Sequence, residues 1–165
     1  MTEKGQVKHR FEAILNECTA HTRRLNQAVS RCGAFFPLSS TTYAELSDDQ
    51  VEHVDQLVYR FTKLQDALGA KLFPLIASVL REDAESLTVF DVLAELEKAG
   101  AIPDASDWAS LRETRNQLTH DYGDDPEESS QQPNEVMDQV DKLKAAARQA
   151  EPFVRERVLP SLPAA

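Results

Sequence analysis

The sequence predicts an all-α fold: an up-down helical bundle of about five helices, forming a single domain over residues 1–165. Three observations predict it. Apolar residues recur at spacings of three, four and seven along most of the chain. Glycine and proline fall where the helices so defined must end. No stretch alternates as a strand would. A content of 41% apolar and 28% charged residues suits a folded, soluble domain of this length.

The first helix covers residues 7–33, with Phe11, Ile14, Cys18, Leu25, Val29 and Cys32 on one stripe. Gly33 and Pro37 end it, and Leu38 to Leu46 is a Ser/Thr-rich connection. Ser47 and Gln50 form a capping box for the second helix, whose acidic first turn complements the helix dipole. That helix runs through Val51, Val54, Val58, Phe61, Leu64 and Leu68. Pro74 kinks or breaks it near residues 70–73, after which Leu75, Ile76, Val79 and Leu80 resume the pattern. A third helix spans residues 88–99 and ends at Gly100; a fourth spans 106–123. Residues 123–133, GDDPEESSQQP, read as an acidic, mobile loop. Asn134 caps the last helix, and residues 158–165 form a C-terminal tail.

Charge narrows the function. The net charge of −10 argues against a general nucleic-acid coat, because phosphate binding rests on basic surface. The excess is uneven, however. Residues 1–82 hold ten basic and ten acidic side chains, and residues 1–36 alone carry a local +3. Arg23, Arg24 and Arg31 of the first helix are therefore candidates for phosphate contacts. No apolar run approaches membrane-spanning length, and Met1 to Arg10 is polar, so the expected location is the cytoplasm. Cys18 and Cys32 are expected to be free thiols, and with the histidines they fit no zinc spacing. The five glycines are scattered, which excludes a phosphate-cradling glycine loop. No metal site and no cofactor are expected.

The fourth helix carries the informative residues. Trp108, Leu111, Leu118 and Tyr122 fall within about 80° on a helical wheel, and Arg115 lands inside that stripe. A charge there is costly unless it is paired or sits at a wet interface. Asn116 and His120 lie about 100° and 140° away from Arg115. Taken singly, Arg115 reads as a paired structural residue, His120 as a helix-terminal histidine and Tyr122 as a core aromatic.

Together, Arg115-Asn116-Gln117-Leu118-Thr119-His120-Asp121-Tyr122 resembles the Arg-Asn-x-x-x-His-x-Tyr motif of the HEPN superfamily. It is most similar to HepT-type toxins paired with minimal nucleotidyltransferase antitoxins. The detailed resemblance covers this helix; the remainder agrees in helix order. It implies a metal-independent endoribonuclease with Arg115, Asn116 and His120 in the catalytic site. RNA, tRNA among the candidates, would be cut through its own 2′-OH. His120 has a suitable ordinary pKa for proton transfer, and the Arg115 fork suits phosphate oxygens. The resemblance further implies that the antitoxin silences the protein by transferring AMP to Tyr122. The divergence of Arg115 and His120 on the wheel leads to the expectation of a homodimer with a shared cleft. An alternative is a non-catalytic helical subunit that binds nucleotide or substrate for a separate nucleotidyltransferase.

Overall fold

The computed structural model describes residues 3–119 and 125–162. Among the described residues the fold is an all-α bundle without strands, built from six helices if the interrupted second rod is taken as one. Helix α1 spans Glu3–Cys32, and the short α2 spans Ser40–Ala44. The rod comprises α3 (Asp48–Asp66), a π-helical segment (Ala67–Leu72) and α4 (Phe73–Leu80). Helices α5 (Val89–Ala99), α6 (Ala105–Gln117) and α7 (Pro126–Phe153) complete the bundle. A second π segment, Val154–Val158, and a 3-10 turn, Leu159–Ser161, follow α7.

Local chemistry explains the elements. The Ser47 hydroxyl accepts from the Gln50 amide, and the Gln50 side chain accepts from the Ser47 amide, as the capping box requires. Gly100 ends α5 in the left-handed conformation, φ 88°. The α1 stripe is buried at Phe11, Ile14, Cys18, Leu25 and Cys32, with Val29 packed against the core. Lys71 meets Glu17 while Arg60 meets His21. As α1 numbers rise, the partner numbers fall, so α1 and the second rod run antiparallel.

Four sequence expectations change, besides the helix expected over 106–123, which among the described residues ends at Gln117 with Leu118 and Thr119 in a turn. Leu38 to Leu46 is not only a connection, because Ser39 and Thr42 form a capping box that starts α2. Pro74 does not break the rod. Its ring would crowd the carbonyl four residues back, and the preceding turn widens into the π pattern, with Phe73 N bonded to Leu68 O. The same device precedes Pro160, where Leu159 N bonds to Val154 O. Residue 158 is consequently not tail: Val158 is fully buried.

The fourth change is the largest. The segment 123–133 was expected to be a loop, yet the chain is helical from Pro126 onward. Asp125 accepts from Glu127 N, Pro126 occupies a position that needs no amide proton, and Glu127 and Glu128 face the positive end of the helix dipole. Pro133 is buried inside α7 on the stripe Ser130, Pro133, Val136, Val140, Leu143, Ala146, Ala150 and Phe153. Asn134 is therefore not a cap. Its Oδ1 accepts from Leu38 N at 2.8 Å and its Nδ2 donates to Leu38 O at 2.7 Å, which pins the α1–α2 connection to α7. Asn134→Ala strands both partly buried backbone groups. It is expected to cost about 1–3 kcal/mol in urea unfolding, with no change in helix content by circular dichroism.

Candidate functional site

The site is built where α6 crosses the second rod. Asp104 starts α6 by accepting from Ser106 N and Asp107 N. Trp108 and Leu111 bury at 2% and 1% exposure, fixing the helix face. Thr114, also buried, donates to Glu135 on α7 at 2.9 Å. The next residue, Arg115, then faces the C-terminus of α3. Its Nε donates to Asp66 Oδ1 at 2.9 Å and its Nη2 to Asp66 Oδ2 at 3.3 Å. Hydrogen bonding to Asp66 raises the Arg115 pKa further above its ordinary value, so the guanidinium stays charged. Both side chains remain about one-third exposed, at 31% and 34%. The pair is thus a wet one.

Asp66 resolves the puzzle of a cation on an apolar stripe. Taken singly, Arg115 was expected to be a paired structural residue, and its partner is Asp66 of the same chain. Two of the five guanidinium N–H groups are used, leaving Nη1 and one Nη2 proton for another acceptor. Asn116 follows on the last turn and is exposed. The helix ends at Gln117, and Thr119 folds back to bond Asn116 O through both its amide and its hydroxyl. His120 and Tyr122 lie outside the described residues, so the structure brings together Arg115 and Asn116 from the predicted set.

Arg115, Asn116 and Asp66 line a cleft of about 1020 Å³ bounded by α1, the second rod, α5 and α6. Arg10, Lys71 and Arg112 also line it, as do Glu17 and Glu85. Lys71 is held by both Glu17 oxygens at 2.8 Å. Arg10 and Arg112 make no hydrogen bond or ion pair among the described residues. Four cations therefore face three carboxylates, and two of those carboxylates are already engaged. The cleft can receive an anion despite the acidity of the whole chain. Arg112 was legible as the i−3 neighbour of Arg115 but was not singled out. Asp66, 49 positions away, gave no local signal. Arg23, Arg24 and Arg31 do not line this cleft; Arg10 is the α1 arginine that does.

Next to the cleft, Glu17 also faces His21 Nε2 at 3.7 Å, while His21 Nδ1 accepts from Arg60 Nη1 at 3.1 Å. Arginine can only donate, so this bond selects a His21 tautomer with its proton on Nε2, toward Glu17. Burial, then the Arg60 charge, lowers the His21 pKa below 6.5; Glu17 opposes the shift. In the window between the lowered value and about 6.5, the unfolded chain binds more protons. Stability is present above that window and is lost as pH falls through it. The free energy of unfolding is expected to drop more between about pH 7.5 and pH 5.5 for the wild type than for His21→Gln. Equal pH slopes in urea titrations would contradict this.

Cys18 and Cys32 are free, buried thiols. Burial, reinforced by Glu17 and Glu151, pushes Cys18 up to about 12, and burial pushes Cys32 up to about 11. Neither is a nucleophile at neutral pH. Among the described residues, no group of three or more His, Cys, Asp or Glu side chains is arranged to hold a metal ion. No helix among them is long and apolar enough to cross a membrane. Fold and cleft together define a helical bundle with a cation-lined groove at the end of its sixth α-helix. No protein-family model, curated protein or solved structure matches the chain.

Proposed function

We propose that the chain is a metal-independent endoribonuclease of the HEPN type, the toxin of a HEPN/nucleotidyltransferase pair. The observation that carries this reading is the placement of Arg115: last turn of α6, wall of the cleft, oriented by Asp66, with guanidinium protons left over. A phosphate seated there meets a pre-aimed cation, with Arg10 and Arg112 available to its neighbours. In the step envisaged, the ribose 2′-oxygen attacks the adjacent phosphorus and the 5′-oxygen leaves. The proton lost by the 2′-OH is balanced by one gained at the leaving oxygen. His120 handles these protons and Asn116 orients the phosphate. The products are a cyclic phosphate end and a 5′-hydroxyl end.

The test is incubation of purified protein with tRNA and total RNA in EDTA. Cleavage is expected, leaving 5′-hydroxyl ends, and His120→Ala is expected to lower the rate at least about a hundredfold. Equal cleavage by the variant would assign the activity to a contaminant. AMP transfer to Tyr122 by a partner nucleotidyltransferase is the proposed silencing step. It adds a bulky anionic group to the Arg115–Tyr122 motif and appears in intact-mass measurements as one added AMP, absent in Tyr122→Phe. A homodimer remains the proposed assembly; because α6 ends at Gln117, the wheel angle from Arg115 to His120 does not support it, and light scattering at micromolar concentration reads it directly.

One observation favours a second reading. An arginine already held at two points by a carboxylate serves equally well as a structural clamp, which makes the cleft a binding site without chemistry. In that case the protein is a nucleotide- or substrate-binding subunit for a separate nucleotidyltransferase. It then binds in the cleft but leaves RNA intact.

A further inference from the structure

A second, smaller pocket of about 310 Å³ lies between α1 and α7, away from Arg115. Its walls bring together residues with no shared role in the bundle. Arg23 comes from α1, and Lys144 and Arg148 from successive turns of α7. None of the three makes an ion pair or hydrogen bond among the described residues. Thr19, Thr22 and Asn26, at helical spacing on α1, add two hydroxyls and an amide that are likewise unpartnered there. Thr22 and Lys144 are half-buried. One carboxylate is present, Glu151, and it is engaged by Arg155 at 3.1 Å.

The floor has a different chemistry. Leu15, Leu68 and Leu72, all fully buried, line it together with Cys18 and Ala147, and the two leucines of the rod belong to the π segment Ala67–Leu72. The volume is at the lower end for a small-molecule site. Three cations among the lining, with its one carboxylate already engaged, favour an anion over a cationic ligand. The apolar floor favours an anion that carries a flat or apolar body over a bare inorganic ion.

We infer that this pocket is a second ligand site, separate from the Arg115 cleft, for an organic monophosphate with an aromatic body. Lys144, Arg148 and Arg23 hold the phosphate, Thr19, Thr22 and Asn26 bond its oxygens or the adjoining hydroxyls, and the body lies over Ala147. Isothermal titration calorimetry on the whole chain tests it, with AMP and 1-naphthyl phosphate as probes and adenosine and inorganic phosphate as controls. At least one probe is expected to show a saturable binding event at least about tenfold tighter than with either control. Lys144→Ala and Arg148→Ala each weaken it about tenfold or more, since both charges are at the surface and their removal spares the core. Arg112→Ala, in the other cleft, leaves it unchanged. Absence of saturable binding by either probe overturns the inference. So does inorganic phosphate binding as tightly as the probes, or a loss that follows Arg112→Ala and not Lys144→Ala.

Discussion

Arg115→Ala is expected to lower the rate constant for RNA cleavage by about 10²–10³, the range for loss of one pre-aimed donor to developing phosphate charge. Arg115→Lys should recover little of it, because an ammonium supplies charge without the planar fork that lets Asp66 hold one edge while the other faces the cleft. Asp66→Asn separates orientation from stability. The pair is about one-third exposed on each side, so its loss is expected to change the unfolding free energy by no more than about 1 kcal/mol. If Asp66 acts by positioning Arg115, cleavage nonetheless falls about tenfold or more while RNA affinity changes little. Wild-type cleavage by Arg115→Ala would confine the arginine to its ion pair and remove it from the catalytic site.

Much of the fold was legible because helical spacing reports burial directly. Phe11, Ile14, Cys18, Leu25 and Cys32 point inward because they share one face, and Ser47 with Gln50 starts a helix wherever it stands. What failed was local composition without tertiary context. Residues 126–133 are polar, acidic and punctuated by two prolines, which reads as loop. Yet the Asp125 cap, the tolerance of Pro126 at the helix start and the burial of Pro133 against the bundle together favour helix. Asn134 has the composition of a cap but satisfies Leu38, 96 positions away. The site shows the same division. Arg115 stood out because it broke an apolar stripe, whereas the reason the break is tolerated, Asp66, comes from another helix and left no trace in local pattern. The acidic surplus likewise masked the cleft, since net charge says nothing about which carboxylates are already paired.

The second large effect concerns the contact that sets α6 against the second rod. A Cβ added at Gly69 would lie 2.9 Å from Cζ2 of Trp108, closer than carbon atoms pack. The indole cannot retreat: it is 2% exposed and meets the Phe73 ring edge-on, with centroids 4.6 Å apart. Trp108→Ala is expected to cost about 3–5 kcal/mol through lost burial and the cavity it leaves. Gly69→Ala is expected to destabilise by about 1–3 kcal/mol, although alanine at a helical position normally gains about 1 kcal/mol over glycine. The two substitutions should therefore be non-additive: in the Trp108→Ala background the clash is gone and Gly69→Ala becomes neutral or stabilising. Urea unfolding of the four proteins reads this coupling, and additive costs would show that Gly69 serves another purpose. Function follows from the same geometry. Gly69 lies one turn beyond Asp66, and Trp108 two turns before Arg115, so this close approach sets the distance across which the two charged groups meet. Pushing the helices apart in Gly69→Ala should loosen the Asp66–Arg115 pair and lower cleavage, even at temperatures where the protein remains folded.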